Sequence, residues 1–174
     1  VAKAKRKRAQ PDQVVATAPA KVLVVNDDDD ACELLCRLLE RAGYVADRAV
    51  SHDQALAQVA FLRPQCVVLD LSTGGIGQNL KLLDAIRSNV EPAIATSRCV
   101  LVAQGTNNQM FSWQAGIDAF MVRPFHADEL LRHVAEAIAR PDAERPRHRR
   151  KQLDEANAAG RQINTGSWTG TQRF

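Results

Sequence analysis

Between residues 21 and 140, short runs of apolar, often β-branched residues alternate with longer stretches in which apolar positions recur every three or four residues. The first pattern suits strands buried on both faces, and the second suits amphipathic helices laid over them. Strands are expected at Lys21 to Val25, Tyr44 to Ala49, Gln65 to Leu69, Cys99 to Ala103 and Asp118 to Val122. Helices are expected at Asp29 to Ala42, from Ser51 to the stop at Pro64, at Asn79 to Ser88, at Asn108 to Ala115 and at Ala127 to Ala139, where Pro141 forbids continuation. Leu34, Leu35, Leu38, Leu39 and Ala42 give the first helix its inward stripe, and Gly43 supplies a left-handed end. Ser51 and Gln54 make a capping box for the second, which turns Ala55, Leu56, Val59 and Ala60 inward. Ser72 to Gly77 reads as a flexible loop, and the segment through Glu91 and Pro92 as irregular.

Five β/α units in this order predict an α/β fold, a doubly wound five-stranded parallel sheet with helices on both faces. Ligands of such sheets bind beyond the carboxyl ends of the strands. Those ends carry the chemistry of this chain: Asp27 to Asp30 follow the first strand, Asp70 the third, and Arg123 the fifth. Four adjacent carboxylates repel one another and cost stability unless a cation belongs beside them. The topology therefore predicts one charged site.

Charge divides the chain further. Residues 1–20 carry Lys3, Lys5, Arg6, Lys7 and Arg8 against Asp12 alone. Residues 141–174 carry seven basic residues, Arg145, Arg147, Arg149, Arg150, Lys151, Arg161 and Arg173, against four acidic ones. The stretch between is acidic, so the net +3 of the whole conceals an acidic body with two basic arms. The expected organisation is a basic flexible tail over 1–20, a domain over 21–140, and a basic, Gly/Thr-rich tail over 141–174 with a short helical turn near Gln152 to Ala159. No apolar run approaches a membrane span and no apolar segment follows the basic N-terminus, so a cytoplasmic protein is expected. Cys32, Cys36, Cys66 and Cys99 lack metal or redox spacing and read as buried thiols; His52, His126, His133 and His148 read as surface or capping residues.

Five short motifs in one order make the stretch 21–140 resemble the receiver (CheY-like) domain of two-component response regulators. They are Val22 to Asp28, Glu40 to Tyr44, Val67 to Asp70, Ala115 to Asp118 and Arg123 to Phe125. The resemblance implies the flavodoxin-like strand order 2-1-3-4-5. It implies no enzyme, but a carboxylate that accepts phosphate from a histidine kinase with Mg²⁺ bound beside it. On that reading Asp70 is the phospho-acceptor. Asp27 is the second acid of the metal pair, Ser72 offers a carbonyl to the metal, and Asn26 stands where the first acid belongs; a one-residue slip would instead pair Asp27 with Asp28. The switch hydroxyl falls on Ala103, the aromatic switch position on Phe120, and the lysine on Arg123.

These replacements predict an atypical stand-alone pseudo-receiver in which Mg²⁺ binding is weakened, regular phosphorelay is lost and Arg123 pairs directly with Asp70. Its function would be that of a protein-binding scaffold or accessory subunit, by resemblance in a large assembly such as a respiratory membrane complex, placing it in the cytoplasm or peripherally on such a complex. The contact candidates are Met110 and Trp113 on the fourth expected helix, Trp113 being equally open to a core role, and Trp168 and Phe174 in the C-terminal tail, Phe125 being assigned to the core. The alternatives are a phosphorylatable single-domain regulator, and a nucleic-acid or anionic-membrane binder working through the basic tails.

Overall fold

A computed structural model describes the backbone of residues 18–165 and the side chains of residues 18–160. The element order is β1 (Lys21–Val25), α1 (Asp29–Arg41), β2 (Val45–Ala49), α2 (His52–Leu62), β3 (Cys66–Leu69), α3 (Ile76–Arg87), α4 (Pro92–Ala95), β4 (Arg98–Ala103), α5 (Gln109–Ala115), β5 (Ala119–Val122), α6 (Ala127–Ala139), a 3-10 turn (Asp142–Glu144) and α7 (Arg145–Thr165). The strands form one parallel sheet in the order β2-β1-β3-β4-β5, as the sequence predicts.

Strand alternation decides which face each side chain joins. Leu23, Val25, Val67, Leu69, Cys99 and Leu101 point to the layer of α2, α3 and α5. Their neighbours Val22, Val24, Cys66, Val68, Val100 and Val102 point to α1 and α6. Because β1, β3 and β4 are covered on both faces, their residues are apolar without a polar alternate. Each fully buried Leu or Val contributes about 1.5–3 kcal/mol through the water it sheds. This double core holds the strand ends in register, and with them the site.

The capping residues behave as their chemistry requires. The Asp28 carboxylate caps α1 by accepting the Ala31 N–H at 3.0 Å, and the Ser51 hydroxyl caps α2 through Gln54 N–H at 3.2 Å. The buried stripe of α1 is Cys32, Leu35, Cys36 and Leu39, with Leu38 half-buried beside it, as expected of Leu35, Leu38, Leu39 and the two thiols. Leu34, 68 % exposed, and Ala42 face water instead of the core. Ala60 faces water, the inward positions of α2 being Ala55 and Val59 with Leu56 half-buried against the core. Helix α3 begins at Ile76, three residues earlier than expected, because Gly75 adopts the positive φ that lets the loop turn straight into the helix. The segment expected to be irregular holds the single turn of α4, with Pro92 at its first position.

The largest departure lies beyond residue 140. The short turn expected near residues 152–159 is a 21-residue helix, α7, and it packs along α5. Arg145 is 7 % exposed, and Leu153 packs against the core cluster that contains Trp113. Hydrophobic periodicity missed this helix because guanidinium–carboxylate pairing, rather than an apolar stripe, fastens its N-terminal half.

Candidate functional site

Asp70 sits at the carboxyl end of β3, 3 % exposed, with its N–H bound to the Val25 carbonyl at 2.8 Å. Two neighbouring segments converge on its side chain. Asn26, at the end of β1, donates from Nδ2 to Asp70 Oδ2 at 2.8 Å. Arg123, just past β5, donates from Nε to Oδ1 at 3.2 Å and from Nη2 to Oδ2, a two-point pairing that matches a planar guanidinium to a carboxylate. The Arg123 N–H is itself held by the Ala103 carbonyl at 2.9 Å, and its guanidinium lies 5.5 Å from the centre of the Phe125 ring. Phe125 is half-buried, packing against the core at its edge, and the Arg123–Pro124 peptide is cis. Burial pushes the Asp70 carboxyl above its ordinary value, and Arg123 and Asn26 offset that only in part.

The acidic run is dispersed rather than pooled. Asp27 reaches across to the loop after β3 and accepts the Ser72 N–H at 2.9 Å, the Ser72 hydroxyl at 2.8 Å and the Thr73 N–H at 2.5 Å. Burial alone would raise its carboxyl, but these hydrogen bonds outweigh burial and hold it far below the ordinary carboxylate range. Asp28 is occupied as the α1 cap, and Asp29 pairs with Arg48 at 3.1 Å. Asn26 therefore bonds Asp70, Asp27 holds the neighbouring loop, and Asp28 turns away.

Mg²⁺ asks for hard oxygens with free lone pairs. Here both oxygens of Asp70 and both of Asp27 already accept hydrogen bonds from the protein, and the Asn26 carbonyl accepts the Asp28 N–H at 2.8 Å. No group of three or more His, Cys, Asp or Glu side chains gathers among the described residues. With the Arg123 cation seated on Asp70 and an amide, Asn26, where the first acid of the pair would stand, these residues as arranged do not fit a divalent ion. A cavity of about 320 Å³ opens beside Asp70, bordered by Ile76, Asn79, Ala103, Gln104 and Asn108. Asn79 closes its floor by bonding both the N–H and the carbonyl of Leu71.

A model of the response regulator receiver domain matches residues 22–135. The chain belongs to this family. Among curated relatives of the receiver, the transcriptional regulatory protein PrrA of Mycobacterium tuberculosis is 32% identical over 127 residues, covering 71% of this chain and 52% of its own. The transcriptional regulatory protein ResD of Bacillus subtilis is 30% identical over 125 residues, 71% of this chain and 50% of its own. The receiver thus spans about half the length of these relatives. Of solved structures, the chemotaxis response regulator CheY4 of Vibrio cholerae aligns at TM-score 0.59 and 20% identity, over 68% of this chain and 98% of its own. A putative response regulator from Chloroflexus aurantiacus aligns at TM-score 0.59 and 27% identity, over 70% and 99%.

The other expected positions are scattered. Phe120, half-buried, packs against the core from β5, and Met110 is half-buried on α5. Trp113 is not an exposed contact: it is 3 % exposed, with the His148 ring of α7 edge-on at 5.6 Å between centroids. Once α7 folds over α5, the face that would have presented the indole is interior. His148 is correspondingly no ordinary surface residue, while all four cysteines are free and buried. Trp168 and Phe174 lie outside the described residues.

The sequence reading missed a second buried carboxylate altogether. Asp118, 2 % exposed at the start of β5, accepts from Arg145 Nε at 2.8 Å and Nη2 at 3.0 Å, from Arg149 Nη2 at 3.1 Å and from Arg87 Nη2 at 3.1 Å. Burial raises its carboxyl, yet the three guanidiniums, Arg145 foremost, overcome burial and lower it. The available signal was the spacing of Arg145 and Arg149, four apart and so on one helix face. Gly116 makes the approach workable: its φ of 99° suits glycine, its carbonyl accepts from Arg87, and a Cβ there would stand 3.4 Å from Arg87 Nε.

Proposed function

We propose that this receiver acts by protein contact as a scaffold or accessory subunit, with Asp70 held by Arg123 instead of cycling through phosphate. One observation carries the reading: the phospho-accepting oxygens are already engaged, two-pronged by Arg123 and from the side by Asn26. A nucleophile whose lone pairs accept charge-assisted hydrogen bonds attacks poorly, and Asp27, which would hold the metal ion that neutralises an incoming phosphoryl group, is bound to the loop after β3. Phe111, 56 % exposed on α5, with half-buried Met110 beside it, offers an apolar contact next to the α7 junction. The partner would be a protein, with a respiratory membrane complex as one assembly to test. No helix among the described residues is long and apolar enough to cross a membrane.

The test is chemical labelling. Acetyl phosphate with Mg²⁺ leaves the parent chain unmodified on a phosphate-affinity gel, whereas the double variant Asn26→Asp, Arg123→Lys takes up phosphate at Asp70. Stoichiometric labelling of the parent, abolished by Asp70→Asn, would overturn the reading.

That result would favour a second reading, a phosphorylatable regulator served by a histidine kinase. It draws support from the cavity opening beside Asp70 and from relatives named as transcriptional regulators. A nucleic-acid or anionic-membrane role for the basic arms has less behind it. On α7, Arg145 and Arg149 turn inward to Asp118, leaving Arg147, Arg150 and Lys151 outward.

A further inference from the structure

A second polar cavity, of about 210 Å³, lies between α6, α7 and the edge strand β5. Arg132, His133 and Arg140 line it from α6 and its end, His148 and Gln152 from α7, and Trp113 from α5. Two independent features point to a missing acceptor. The indole N–H of Trp113 is buried and has no hydrogen-bond partner among the described residues, an unusual state for a group that normally finds one. The four charged side chains that line the cavity balance formally, Arg132 and Arg140 against Glu136 and Asp118, but the arginines behind Asp118 tip the local balance to positive. Of the two acids that line it, Glu136 is paired with Arg132 at 3.3 Å, and Asp118 is outnumbered by Arg87, Arg145 and Arg149. Nearby, Asp142 is divided between Arg98 and Arg145. Arg140 makes a single hydrogen bond from its guanidinium among the described residues, to the Asp118 carbonyl at 3.3 Å.

We propose that this cavity binds an oxyanion, the phosphate or carboxylate group of a small molecule, with the Trp113 N–H and the Arg140 guanidinium as donors. Bound there, the anion would bridge α6 and α7 and fasten the last helix to the receiver body. This site is separate from Asp70, and its occupancy does not depend on how Asp70 is used.

The histidines supply a second readout. Burial first, then Arg132 and Arg140, hold His133 below its ordinary value against the opposing pull of Glu129 and Glu136. Burial first, then Arg140 and Lys151, lower His148 against the pull of Asp118. An anion between them reverses that repulsion and draws protons onto both rings. Its affinity therefore rises as pH falls.

With Trp168→Phe the full chain keeps Trp113 as its sole tryptophan. Sulfate, a tetrahedral stand-in for phosphate, and succinate are titrated separately against Trp113 emission at ionic strength held constant with sodium chloride. A saturable change is expected with at least one of them. Its dissociation constant should rise about tenfold in Arg140→Gln and in His133→Gln, and the sulfate constant should fall severalfold from pH 8 to pH 6. Saturation by sulfate alone assigns a phosphate-type ligand, and by succinate alone a carboxylate. Should Arg140→Gln fail to fold, the milder His133→Gln decides. A response reproduced by chloride, or unchanged in the variants that retain the parent's circular dichroism, overturns the site.

Discussion

Two aspartates, Asp70 at the carboxyl end of β3 and Asp118 at the amino end of β5, are buried to the same degree yet are displaced in opposite directions. Asp70 has one arginine and one amide, and burial prevails, so its carboxyl is raised. Asp118 has three arginines, and charge prevails, so its carboxyl is lowered. Desolvation is similar for both; the number of guanidiniums delivered by surrounding helices sets the sign. The first aspartate is poised at a strand end where a ligand can approach, while the second is a fastening point for α3 and α7.

The sharpest way to break this contrast is Asp118→Ala. It leaves Arg145 buried and the inward guanidiniums of Arg87 and Arg149 without their carboxylate, and should lower stability by about 3–5 kcal/mol in urea unfolding, with α7 opened to protease. A loss below about 1 kcal/mol would mean that α7 is held by something else. Asp70→Asn should cost about 1 kcal/mol or less, because the amide keeps the shape and the partner Arg123 side chain, 35 % exposed, can turn to water.

A pH series sharpens the comparison with the smallest effect. The lowered carboxyl of Asp118 contributes stability that is present above the unfolded value near 4 and is lost as pH falls through its lower folded value. The raised carboxyl of Asp70 does the reverse: the folded chain holds that proton more tightly, so stability is gained as pH falls through the raised value and lost as pH rises through it. Measured from pH 7 down to 3.5, the deficit of Asp118→Asn relative to the parent should shrink, whereas that of Asp70→Asn should grow. Deficits moving in the same direction would refute the opposite displacement.

The sheet was legible because its information is local. Runs such as Cys66–Leu69 admit few alternatives, and the strand-end charges follow from them. The Arg123–Asp70 pairing was legible too, since a resemblance to receivers places both residues at neighbouring strand ends. What escaped the reading depends on contacts distant in sequence. Arg145 and Arg149 share a helix face, but that spacing does not name Asp118, 27 residues before Arg145, as their partner, and without that pairing α7 resembles a solvated basic arm. The choice between core and contact for Trp113 stayed open through the same omission, for the indole is covered by the helix that the charge run concealed. Leu34 was misjudged for a local reason: Leu35, Leu39 and the small apolar Cys32 and Cys36 fill the stripe, which leaves Leu34 outward.

The position of Arg145 and Arg149 also bears on where this molecule ends as a folding unit. A polypeptide trimmed after residue 140, at the edge suggested by resemblance, would keep all five strands and lose two of the three cations that neutralise Asp118, while uncovering the indole of Trp113. Such a fragment would open a buried carboxylate and a buried indole together, and the contacts of Arg145, His148 and Arg149 make the first turns of α7 part of the receiver's packed body.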